Sequence, residues 1–173
     1  MFEGLPENAK RSVQWQSLVG VDKECFGCGE ENSHGLQMKF EMNDSATQLR
    51  SHLIMDKRFR GWSNLIHGGV LSTILDETMG WTVLCLTKQF MLTKGMQVAF
   101  KKPVRIGMKI TSTGYIKEHL SKKKIVVVAE IRDDAGALCA SSEGEFALFS
   151  KEQFLRMGIM PEEDINLMVA SIA

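Results

Sequence analysis

The most apolar stretch of the chain begins after Gly61-Trp-Ser-Asn-Leu-Ile-His-Gly-Gly69. Val70, Leu71, Ile74, Leu75, Met79, Trp81, Val83 and Leu84 then follow at spacings that occupy more than one helical face. A helix apolar nearly all round belongs inside a core, so a buried helix is predicted from about residue 67 to residue 86. Its other positions are ordered. Gly69, Thr73, Asp76 and Gly80 follow i, i+4, i+7, i+11 spacing and fall on one stripe. The stripe is small and polar and holds a single acid. Something must approach closely there, either a ligand or another helix.

The rest of the chain changes period. Leu36-Gln-Met-Lys-Phe-Glu-Met42 alternates apolar and polar residues, as a half-buried strand does. Asn43-Asp-Ser reads as a turn, and Ala46 to Met55 as the partner strand. Four strand-like runs follow the helix: Gly95–Lys101, Met108–Ile116, the β-branched Ile125–Ile131, and Ala137–Phe149. Asp133-Asp-Ala-Gly136 is a hairpin-type turn, and Gly144 suggests a bulge or bend. Residues 7–19 read as an N-terminal helix stopped at Gly20, with Val13, Trp15 and Leu18 on one side. Residues 161–170 read as a short helix started at Pro161. The pattern thus divides into an accessory helix (1–20), one α+β domain (21–150) and a tail (151–173). A single long helix among successive hairpins implies an antiparallel sheet wrapped around it. Such a sheet leaves edge strands to cover, and self-association is a natural way to cover them.

Composition narrows the function. The 173 residues are 44% hydrophobic and 24% charged, with 21 basic and 21 acidic side chains. Zero net charge argues against a general nucleic-acid binder. No apolar run is long enough to span a bilayer, and the first residues lack the order of a signal peptide. Four cysteines without such a signal point to reduced thiols in a cytoplasm.

The start of the central helix is the place for chemistry. Its first N–H groups have no partner within the helix, and the dipole makes that end positive. Gly68 and Gly69 let a ligand approach the backbone, where a carbonyl can be polarised and an oxyanion stabilised. Asp76, two turns on, could attack an acyl carbon or activate water. His67 and Asn64 at the mouth could add hydrogen bonds. Equally, a buried acid can simply bond a neighbouring strand. Glu77 lies about 100° round the helix and is the second candidate.

His67-Gly-Gly69 followed by Asp76, with Pro103 in a Lys-Lys-Pro-Val turn, resembles the hotdog-fold acyl-CoA thioesterases of the phenylacetate-pathway (PaaI-like) type. Cys25-Phe-Gly-Cys-Gly-Glu-Glu-Asn-Ser-His-Gly-Leu36 resembles the segment before the first strand in many members. The resemblance covers about residues 25–149. It implies a sheet wrapped like a bun round the helix and pairing as a homodimer or dimer of dimers. It implies hydrolysis of an acyl-CoA thioester with no cofactor, coenzyme A being part of the substrate. The N–H of Gly68 or Gly69 would polarise the carbonyl, and Asp76 of the partner chain would serve as nucleophile or general base. A hydroxyl early in the next strand often helps, and Thr93 stands within one residue of that place. Some members carry an asparagine six residues before the histidine. Gly61 stands there here, so Asn64 either takes over that role or leaves it unfilled.

Other groups in the chain also have plainer roles. Cys25-x2-Cys28, with His34 nearby, has the spacing of half a zinc site, but the remaining cysteines lie in core elements, so no metal is expected. Lys101, Lys102 and Arg58 could meet coenzyme A phosphates, though such residues are more often solvated. Trp62 and Glu77 could shape the substrate pocket. The rival functions are a non-catalytic acyl-CoA-binding module and an enoyl-thioester hydratase. The Asp–His motif expected of the latter is not seen.

Overall fold

The computed structural model describes residues 13–172. Three short strands come first: β1 (Trp15–Ser17), β2 (Phe40–Asn43) and β3 (Leu49–Ile54). A single 3-10 turn, Lys57–Phe59, leads to the central helix α1 (Gly68–Thr87). Four long strands follow: β4 (Phe90–Phe100), β5 (Lys109–Ser121), β6 (Lys124–Asp133) and β7 (Leu138–Phe149). Helices α2 (Lys151–Met157) and α3 (Glu162–Ser171) end the chain. The seven strands form one antiparallel sheet in the order β1-β2-β3-β5-β6-β7-β4. The sheet curls round α1, whose Ile74, Leu75, Met79 and Val83 are fully buried. This is the hotdog arrangement.

Two glycines let the sheet close on the helix. A Cβ at Gly114 of β5 would run into the Thr82 hydroxyl of α1. One at Gly144 of β7 would stand 3.0 Å from Phe146 and 3.1 Å from Met79. Gly144 is therefore a point of close approach, not the expected bulge, and it pairs in register with Met96 and Val127. The irregularity lies across the ladder in β4, between Thr93 and Gly95. Thr78 and Thr82, buried on α1, return their hydroxyls to helix carbonyls at 2.7 Å, and Thr78 also meets Ser112 of β5 at 2.7 Å.

Other expectations shift at their ends. Residues 13–19 form no helix: Trp15–Ser17 pair with Glu41–Asn43, where Arg50 stacks on the Trp15 ring. The remainder of the helix expected over 7–19 lies outside the described residues. β4 begins at Phe90, five residues before the expected Gly95. The tail holds two helices. α2 is started by a capping box between Ser150 and Gln153 and stopped at Gly158, whose φ of 62° suits glycine. α3 starts at Pro161, as expected. Lys88 donates to the Ile172 carbonyl, which ties the end of α3 to the end of α1. Among the described residues no helix is long and apolar enough to cross a membrane.

Candidate active site

The loop before α1 is fixed by the backbone. Ile66 donates to the Val104 carbonyl at 2.9 Å and His67 to the Phe59 carbonyl at 3.0 Å. His67 caps the helix: its Nδ1 accepts the Gly69 N–H at 2.9 Å. The two candidate amides therefore differ. Gly69 is engaged by its own cap, while no oxygen among the described residues accepts the Gly68 N–H. The Phe100 ring of β4, itself 55% exposed, lies beside Gly68. Asn64 is exposed. Its carbonyl accepts from Ile106 and its side chain meets no partner among the described residues.

The small-residue stripe of α1 faces β4. A Cβ on Gly80 would stand 2.8 Å from the Met91 methyl. One turn back, Thr93 donates its hydroxyl to Asp76 Oδ1 at 3.0 Å. The irregularity after Thr93 is placed to aim that hydroxyl, since bulges redirect neighbouring side chains. Asp76 and Gly68 are eight residues apart on one helix, a rise of about 12 Å. One carbonyl cannot touch both in the same chain.

Glu77 turns the other way, towards the loop before β2. Trp81 donates its indole N–H to Glu77 Oε1 at 3.1 Å, and the Cys25 thiol lies 3.8 Å from that oxygen. Burial pushes the Glu77 carboxyl up to about 7, and the Cys25 sulfur adds to this. The Cys28 thiol donates to Cys25, which lowers Cys25 to about 5 and raises Cys28.

Both acids line one cavity of about 220 Å³. Its polar wall is Asp22, Cys25, Cys28, Asp76 and Glu77, and among the described residues no lysine, arginine or histidine lines it. Its apolar floor includes Phe90 and, from the C-terminal segment, Phe154, Met160 and Met168. Phe90 and Phe154 stack with centroids 4.6 Å apart. Nothing in the sequence said where the tail docks, so this floor was not foreseen. The meeting of Glu77 with Cys25 and Cys28 was also missed. The Cys-x2-Cys-Gly spacing was its signal, but the third group is 49 residues on.

The remaining candidates lie apart from the cavity wall. Trp62 is 86% exposed. Arg58 donates to the Ser33 carbonyl and stacks on Phe59, 4.7 Å from the ring centroid. Lys102 is paired with the buried Asp133, whereas the exposed Lys101 side chain has no partner among the described residues.

The family model of the thioesterase superfamily matches residues 63–140, which hold Asn64, the helix mouth, Asp76 and Thr93. Over that segment the chain is similar to the thioesterase superfamily. Solved structures agree on the fold. A thioesterase superfamily protein is 22% identical, with a TM-score of 0.67 over 82% of this chain and 68% of its own. The E. coli PaaI protein from the phenylacetic acid degradation operon is 16% identical, with a TM-score of 0.60 over 66% of this chain and 81% of its own. A hypothetical thioesterase from Streptococcus pneumoniae, solved with coenzyme A, is 16% identical, with a TM-score of 0.57 over 61% and 80%. No curated protein matches this chain. The hotdog resemblance read from the sequence is borne out by the superfamily match and these folds.

Proposed function

We propose that the chain hydrolyses an acyl-CoA thioester to a carboxylic acid and free coenzyme A. The observation that carries the reading is Asp76, held by Thr93 at 3.0 Å on the wall of an apolar cavity, inside the segment that matches the superfamily. Asp76 either takes a proton from the attacking water or attacks the acyl carbon itself. In the first route water adds to the carbonyl carbon, the oxyanion forms and collapses, and the thiol leaves with a proton. In the second the acyl group passes to the carboxylate and water then releases it. The free Gly68 N–H at the positive end of α1 is the donor suited to the oxyanion.

These two groups serve one carbonyl only if they come from different chains, given the rise of about 12 Å between them. The reading therefore requires a homodimer, alone or within a dimer of dimers. Edge strand β4, which pairs only with β7 among the described residues and exposes Leu92 and Phe100, is the face suited to it. Lys101 is the basic residue left for the phosphates of coenzyme A. The reading places the protein in the cytoplasm, where thiols stay reduced. The coenzyme A in the Streptococcus pneumoniae structure supports this ligand class. A cavity of about 220 Å³ favours short or single-ring acyl groups over long chains.

The test is thiol release across short, medium, long and aromatic acyl-CoAs, with Asp76→Asn as the control. Turnover of at least one short or aromatic thioester, lost in the variant, supports the reading. Ligand-induced thermal stabilisation without thiol release would make the protein a non-catalytic acyl-CoA-binding module instead.

A further inference from the structure

Three groups beside Asp76 have no part in the hydrolysis just described. The Cys25 and Cys28 sulfurs and the Glu77 carboxylate all lie within 4.8 Å of one another. They come from two distant parts of the chain, a loop and the middle of the buried helix. The turn that presents the thiols is built closely. Gly29 donates to the Cys25 carbonyl at 2.9 Å, which closes the turn behind the two thiols. A Cβ on Gly29 would strike the Cys25 backbone, and one on Gly27 would overlap the Glu77 carboxyl. The chain thus uses glycine on both sides of Cys28 to wrap two sulfurs round one carboxylate.

The charge of the surroundings is one-sided. Among the described residues the cavity wall carries two further acids, Asp22 and Asp76, and no basic side chain. Burying a carboxylate among sulfurs with no positive partner is costly, and a bound cation removes that cost. The donor set selects the cation. Two thiolates two residues apart with one carboxylate suit zinc, whose thiolate bonds are about 2.3 Å and carboxylate bonds about 2.0–2.2 Å. Ligand atoms of such a tetrahedron stand roughly 3.5–4 Å apart. The Cys25 sulfur is 3.8 Å from Glu77 Oε1. Trp81, donating to the same oxygen at 3.1 Å, would orient the carboxylate as an outer partner.

We propose that Cys25, Cys28 and Glu77 form a zinc site in the wall of the cavity, with its fourth position open to that cavity. Three protein ligands and one exchangeable position distinguish it from a closed structural site. His34, the fourth ligand the sequence would suggest, is exposed and is not part of the cluster. The site stands whether or not the chain hydrolyses thioesters.

The test uses the full chain under reducing conditions. Metal content is measured by plasma mass spectrometry after dialysis against low zinc, and cobalt(II) is then titrated into chelator-treated protein. The expected result is one zinc per chain, and one cobalt giving tetrahedral d–d bands with a thiolate charge-transfer band. Cys25→Ser combined with Cys28→Ser should abolish that band. Glu77→Gln should shift the d–d bands and weaken binding at least tenfold, with the charge-transfer band retained. Sub-stoichiometric metal in the unmodified chain, with no cobalt band, overturns the site without reference to any variant. A Glu77→Gln protein that binds cobalt unchanged overturns the assignment of Glu77.

Discussion

Asp76 and Glu77 are neighbours in sequence and face different worlds. Asp76 looks along a stripe of small residues to edge strand β4, where one hydroxyl holds it. Glu77 looks into a loop that closes over it with two thiols, an indole and a glycine without room for a side chain. One residue's rotation, about 100°, separates an open face from a wrapped one. On the proposed reading, chemistry with an incoming substrate belongs to the open face. The wrapped face suits a group that must stay in place.

The largest expected effect separates the two acids directly. Asp76→Asn should cut thioester turnover by about 10²–10⁴-fold, the usual worth of a general acid or base, with the circular dichroism spectrum unchanged. Glu77→Gln should cost much less turnover. The reverse ranking in a thiol-release assay would exchange their roles.

The floor that both acids share comes next. Phe154→Ala should lower stability by about 3–5 kcal/mol in denaturant melts, because it empties a buried ring position stacked on Phe90. The same change should move acyl preference towards bulkier groups. An unchanged preference profile would place the acyl group outside this cavity.

The wrapped face is probed by Gly27→Ala. Its new methyl would overlap the Glu77 carboxyl, so a loss of about 1–3 kcal/mol is expected. Hydrogen exchange should rise in the loop before β2 while Thr93 and β4 keep their protection. Equal loosening of both faces would deny their independence.

The smallest effect is a control remote from both acids. Lys102 and the backbone N–H groups of Ala135 and Ala137 hold the Asp133 carboxyl below its ordinary value of 3.8. A depressed carboxylate stabilises the fold above that value and loses the contribution as pH falls below it. Asp133→Asn should therefore lower Tm at neutral pH and flatten its fall in acid. Turnover per folded molecule should not change.

The fold was largely legible because its signals are periodic. The all-apolar helix and the alternating runs of β5, β6 and β7 follow from burial on one face or all faces. Trp15–Ser17 is not legible as a strand because three residues are too few to show a period, and only pairing with Glu41–Asn43 decides. The early start of β4 was hidden by Phe90-Met-Leu, an apolar run with no alternation. At the site, Asp76 stands out as the single acid on the small-residue stripe, while Thr93 enters only through the family resemblance. What spacing could not show is which amide is free: the His67 ring takes Gly69 and leaves Gly68. Nor could it show that a tail helix forms the cavity floor, or that the helix brings Glu77 to a cysteine turn 49 residues away.

The central claim is that Asp76 and the Gly68 N–H meet across two chains. Gly68→Pro removes that N–H at a first helical position, which proline tolerates. Asp76→Asn removes the acid. Each variant alone should be nearly inactive in thiol release. Unfolded and refolded together in equal amounts, they form hybrids in which one site has lost both groups and the other is intact. The mixture should recover about a quarter of the unmodified rate, since about half the dimers are hybrids with one working site. A mixture no more active than either variant, from preparations shown to exchange subunits, would contradict the account.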